Sequence, residues 1–282
     1  MTRTESTDTA IRVDAHHHVW CIGRGDYGWL TPDLPICRDY GLDELRRFVD
    51  DDTRTLLVQA APTEAETDFL LDTARASVGL VQGVVGWVDL SAPDASSRIE
   101  SRAQTDLLKG LRPMLQDIAD TEWILRESVQ SGLQAMQQAG LRFDALVQPR
   151  HLPVVRVLAG RYPGLRIAID HGAKPGIADG SWQPWAGEIA RIARDTPAFC
   201  KLSGLVTEAG PNWTLDVLRP YVDHLLECFG PGRIIWGSDW PVVDLAGGYA
   251  QWREATLALL SGLSQVDQDA VLGTNAVSFY GL

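Results

Sequence analysis

Three short segments carry the side chains best suited to chemistry: "DAHHHV" from Asp14, "IDHGAKP" from Ile169 and "IIWGSDWPV" from Ile234. Side chains alternate faces along a strand, so His16 and His18 share one side and His17 points to the other. Two imidazoles at that spacing can reach one cation such as Zn2+ at roughly 2.0–2.1 Å. His17 is then the spare, packing or hydrogen bonding away from the site. A tag relic is a poor account of the triplet, which follows "RVDA" in a strand context and precedes an aromatic loop. A satisfied structural histidine pair is the plain alternative. Asp239 emerges where an apolar run ends in small residues, either as a turn residue, the common job for Asp there, or as an acid/base group. Asp170 and His171 end another apolar run, where capping and function are evenly matched.

These residues need elements that bring them together. Strand-like runs begin at Ile11, Arg54, Val81, Leu108, Arg142, Leu165, Ala198 and Arg233. Helix-periodic segments such as "DELRRFVDD", "EAETDFLLDTARAS", "DTEWILRESVQSGLQAMQQAG" and "LDVLRPYVDHLLECFG" separate them. Eight such alternations predict an α/β fold, a single-domain (β/α)8 TIM barrel over residues 11–282, with residues 1–10 as a flexible tail. An open doubly wound sheet also alternates in this way, but no G-x-G-x-x-G loop follows the first strand. In a barrel the strand C-terminal ends face one mouth. Those ends carry His16 and His18, Gln59, Trp87 and Asp89, Arg112, Gln148, His171, Lys201 and Ser203, and Asp239. The long Gly-, Pro- and aromatic-rich segment 19–40 is expected to cover that mouth.

The bulk numbers exclude several classes. A net charge of −12 argues against nucleic acid and anionic membrane as partners. The N-terminus lacks the apolar run of a secretion signal, and no stretch has the length and apolarity of a bilayer span, so the expected setting is the cytoplasm. Four cysteines without a C-x-x-C pair read as reduced thiols. Ten tryptophans divide between packing and a stacking pocket. The oligomeric state is left open between monomer and homo-oligomer.

Together "DAHHHVW", "GDYGWL", "KGLRPMLQD", "DHGAKP", "CKLSGLVTEA", "WGSDWPV" and "GTNAVSFYGL" resemble the amidohydrolase-2 branch of the amidohydrolase superfamily along nearly the whole chain, and within it the L-fucono- and L-rhamnono-lactonase type. The resemblance implies a metal set of His16, His18, His171 and Asp239 holding one divalent cation, with zinc as the expected metal, although some relatives act without any. Two-metal members carry a carboxylate or carbamylated lysine on the fourth strand and a histidine on the fifth, where this chain has Arg112 and Gln148. The implied reaction is hydrolysis of a small-molecule sugar lactone. Asp239 would be the general base, and Arg112, His171 or Lys201 would hold the oxyanion. For Arg112 and Lys201, closing rim ion pairs is an equal alternative. Trp20, Tyr27, Trp29, Trp87, Gln148 and Trp240 are the expected substrate-binding groups. Rival readings are a metal-dependent decarboxylase, a dicarboxylate-lactone hydrolase and a barrel that only binds.

Overall fold

In the computed structural model, which describes residues 11–282, the eight apolar runs become eight parallel strands in sequential order. They are β1 Val13–His17, β2 Arg54–Val58, β3 Val81–Gly86, β4 Leu108–Leu111, β5 Arg142–Ala145, β6 Ile167–Ile169, β7 Phe199–Leu202 and β8 Ile234–Trp236. Their near-continuous hydrophobicity follows from burial on both faces. The expected tail at 1–10 lies outside the described residues. The ring closes just past β8, where Asp239 N–H donates to His16 O at 2.7 Å and His18 N–H to Trp240 O at 2.7 Å. Asp239 is thus stitched to the histidine strand by its own backbone.

Strand β1 carries an irregularity that aims its side chains. Asp14 pairs with Thr55 but His17 with Leu57, so β1 has one more residue than β2 over that step. Such a bulge re-aims side chains and is frequent beside active sites. Gly237 makes the closure possible, because a Cβ there would stand 2.5 Å from His16 Cβ.

Most of the core lies between the strands and the surrounding helices, while a smaller cluster fills the barrel interior with Val13, Ala15, Leu56, Val58, Val85 and Ile235. The C-terminal helix Asn275–Tyr280 adds Phe279 and Tyr280 to that interior. Arg142 and Arg166, at or just before strand starts, donate to carbonyls of Phe279 and Ser278. This helix therefore closes the barrel at the end opposite the mouth.

Two expected helices are shorter than their periodicity implies. "DELRRFVDD" yields one turn, Leu42–Leu45. The long segment after Asp120 breaks into a 3-10 turn, Trp123–Leu125, and a helix, Glu127–Gln138. Asp120 accepts from Glu122 N–H at 3.0 Å and pairs with Arg126 at 2.7 Å, a local network that competes with helix continuation.

Candidate active site

The side chains converge at the strand C-terminal ends, as barrel geometry requires. Asp239 Oδ1 lies 3.2 Å from His18 Nε2, 3.7 Å from His16 Nε2 and 4.0 Å from His171 Nε2. All four residues are buried. Asp239 and His171 both hold left-handed backbone conformations, with φ of 59° and 53°. Non-glycine residues seldom adopt that region outside functional or turn positions. Gly204, itself at positive φ, packs so closely that an added Cβ would meet His171 Nδ1 at 2.5 Å.

Protonation follows from the partners. His18 Nδ1 stands 2.8 Å from Val58 O, and a carbonyl only accepts, so Nδ1 carries the hydrogen. Its other ring nitrogen, Nε2, faces the Asp239 carboxylate at 3.2 Å. Burial pushes His171 down to about 4, and burial with the Lys201, His171 and Arg112 charges holds His16 well below its ordinary value. Burial raises Asp239, but His171, His18 and Lys174 outweigh it and keep the carboxyl below the usual range. His16 and His171 are thus held neutral beside the Asp239 carboxylate, a donor set that suits a cation.

The donor set fits one divalent metal of the imidazole- and carboxylate-binding kind. His16, His171 and Asp239 each offer an atom within 4.8 Å of the others, with His18 Nε2 beside them. A tetrahedron with bonds of roughly 2.0–2.1 Å has edges of about 3.3 Å, close to the shortest spacings found here. A second cation is opposed by charge. Arg112 Nη1 lies 3.3 Å from His16 Nε2, and Lys201 Nζ 3.1 Å from His16 Nδ1.

Arg112 reaches the site from the end of β4. Its guanidinium donates to Gln59 Oε1 at 2.9 and 2.7 Å and to Asp170 Oδ2 at 3.3 Å, which leaves it fixed on the wall of a cavity of about 280 Å³. His18, His171, Asp239, Trp29 and Lys174 share that wall. Lys201 is placed differently from its expected position at the mouth. It is wholly buried beneath His16, bonded to Asp144 and 3.3 Å from Asp170, and is absent from the cavity lining. Asp170 stays below its ordinary pKa because Lys201, Arg112 and His171 together outweigh its burial.

The expected substrate-binding aromatics separate into two groups. Trp29, from the 19–40 segment, lines this cavity and an adjoining chamber, and Trp87 lines that chamber. Trp20, Tyr27 and Trp240 line neither. Trp20 donates to Arg38 O at 2.7 Å inside an aromatic cluster with Tyr27 and Tyr40, and Trp240 packs on Tyr40 and Phe48. Gln148 is also off the wall, because it caps the turn Pro149–His151. His17 is buried with neither ring nitrogen partnered among the described residues. Packing, one of its two expected roles, is the one it fills.

Several residues went unnoticed in the sequence. Lys174 lines the cavity while paired with Glu208 at 2.9 Å, and Gln116, Met114 and Asp117 enter from the loop after β4. Glu66 accepts from the Ala60 and Ala61 amides at 3.0 and 2.7 Å and so fixes the end of β2. Burial raises its carboxyl to about 7 against those bonds. The T-x-x-E pattern Thr63–Glu66 was the available signal, since it marks a helix start.

Comparisons with known proteins agree with this geometry. The family model described as Amidohydrolase matches residues 13–282. An L-fucono-1,5-lactonase of Burkholderia ambifaria is 43% identical over 277 residues, covering 96% of this chain and 95% of the relative. A second L-fucono-1,5-lactonase, from Burkholderia multivorans, is 32% identical with 97% of each chain covered. The crystal structure of an amidohydrolase from Burkholderia multivorans with bound zinc superposes with a TM-score of 0.90 at 33% identity, covering 97% of this chain and 100% of that one.

Proposed function

The chain belongs to the amidohydrolase family, and on that premise we propose that it hydrolyses the ring ester of a neutral, hydroxylated aldonolactone of the L-fucono-1,5-lactone type. The observation that carries this reading is the Asp239 carboxylate, held among three histidines on the wall of a cavity that also presents the Arg112 guanidinium. Relatives named L-fucono-1,5-lactonase at 43% and 32% identity support the substrate class.

The chain's residues supply most of what lactone opening needs. Asp239 takes a proton from the attacking water, and a carboxylate held ionised is the form that can do so. The carbonyl oxygen gains negative charge as water adds, and Arg112, fixed by Gln59 and Asp170, is a preorganised donor for it. When the ring C–O bond breaks, the protonated Asp239 returns its proton to the departing alkoxide. His18, 3.2 Å from Asp239 Oδ1, orients that carboxylate, and Trp29 gives the substrate a flat face. A divalent metal, zinc in this reading, would be held by His16, His18, His171 and Asp239, and when bound it would lower the pKa of water and polarise the carbonyl. Among the described residues no helix is long and apolar enough to cross a membrane. Four free cysteines accord with a cytoplasmic enzyme of sugar breakdown.

The test is acid release, followed with a pH indicator above the spontaneous rate, from L-fucono-1,5-lactone, L-rhamnono-lactone and a pyrone dicarboxylate. Rapid turnover of the first two and little of the third is expected. No acceleration with either neutral lactone, or carbon dioxide released from an aromatic acid, would overturn the reading.

A further inference from the structure

Beside the catalytic cavity lies a second space, of about 500 Å³. Trp29, Met114 and Asp117 line both. The catalytic cavity is at the small end of ligand sites, which run roughly 300–1,000 Å³, whereas the chamber could hold a second sizeable group. Its lining is dominated by Trp87, Trp123, Leu90, Pro62 and Ile118, and it contains no lysine or arginine. Its polar groups include three carboxylates. Asp26 is paired with Arg24 at 2.6 Å, Asp89 accepts from Ser91, and Asp117 stands at the junction with the catalytic cavity. Such a space favours apolar surface and repels anions.

We propose that this chamber is a second compartment of the active site that receives an apolar substituent on the lactone ring, so that the enzyme also opens neutral 1,5-lactones bearing alkyl chains. The inference rests on the lactonase reading, because the reacting carbonyl must lie between Asp239 and Arg112 for the ring's far side to reach Trp29. The reaction is unchanged: water's oxygen bonds to the carbonyl carbon, the acyl C–O bond of the ring breaks, and the alkoxide takes up a proton. Trp29 is held in place for this by donating to Ala60 O at 2.7 Å.

The experiment measures kcat/KM for unsubstituted, methyl-, propyl- and pentyl-substituted δ-lactones alongside L-fucono-1,5-lactone. The value should rise roughly two- to fourfold per added methylene as the chain enters the chamber. Ile118→Trp, which partly fills the chamber, should bring the pentyl lactone to within about twofold of the unsubstituted one, and Ile118→Phe replaces it if the larger variant does not fold. A flat or falling series, or a rise that survives both fillings, overturns the inference while hydrolysis of L-fucono-1,5-lactone leaves the parent reading standing. If that sugar lactone is not hydrolysed either, the lactonase reading itself fails and the chamber proposal goes with it.

Discussion

Two groups of buried polar side chains occupy the barrel, one above the other, and they are matched to opposite degrees. In the lower group the Lys201 ammonium sits among Asp144, Asp170 and His16 Nδ1, and the Tyr280 hydroxyl donates to Asp144 at 2.9 Å. In the upper group three imidazole nitrogens crowd a single oxygen of Asp239 at the edge of a cavity. Charge is buried in both, so burial alone does not mark a reactive site. The lower group has its charges answered within the protein, by Lys201 and, at Asp170, by Arg112 from above. The upper one needs a proton, a cation or a substrate from outside.

The comparison is most directly broken at Asp239. Asp239→Asn removes the proposed base but keeps a residue that tolerates φ near 59°. It should lower kcat/KM on lactones roughly 10³- to 10⁴-fold while leaving the urea midpoint near wild type. A variant that loses stability with its activity would show that the upper group is structural too. Lys201→Met makes the opposite demand. Removing the cation leaves Asp144 and Asp170 facing each other in the interior, at a cost of about 3–5 kcal/mol in urea unfolding. If the variant unfolds like wild type but loses turnover, the lower group belongs to the chemistry.

His17 sharpens the contrast from a third position, being buried, unpartnered and away from the cavity lining. Burial pushes its imidazole from the usual 6.5 down to about 3. As pH falls below 6.5 the unfolded chain takes up a proton that the folded one refuses, so stability drops until the pH nears 3. For the single ring this amounts to about 2 kcal/mol at pH 5. His17→Leu should remove that part of the acid slope. Unfolding measured from pH 8 to 5 checks it, and an unchanged slope would assign the acid sensitivity to other groups.

The parts legible in the sequence were those governed by local pattern. Strand runs, their order and the strand ends bearing His16, His18, His171 and Asp239 follow from periodicity and chain position. The resemblance added the family. Side-chain height in the barrel was not legible: Lys201 lies on the strand ending nearest Ser203, yet only three-dimensional pairing with Asp144 and Asp170 pulls it below His16. Aromatic residues misled for a similar reason. Trp20 and Trp29 share one loop, but the first is drawn into packing by the Trp20–Tyr40 backbone bridge while the second stays on the wall. Tyr280 lies in the segment "GTNAVSFYGL", but its role had no local signal, since its partner lies 136 residues earlier.

Tyr280→Phe gives the smallest and finest test. The ring stays to fill the interior, and only the hydroxyl that donates to Asp144 is lost, at 3.0 and 2.9 Å from its two oxygens. Asp144 retains the Lys201 ammonium, so it keeps its counter-charge and loses one donor. A hydrogen bond to a charged group is worth about 1.5–3 kcal/mol, and the surviving partner places the loss near the lower figure. Lactone turnover should change by no more than about twofold, because Tyr280 reaches the upper group only through Asp144, Lys201 and then His16 Nδ1, 3.1 Å from the ammonium. Urea unfolding and kcat measured on the same preparation separate the outcomes. A fall in kcat of tenfold or more with stability intact would mean that the lower group tunes His16, and the two layers would then have to be treated as one.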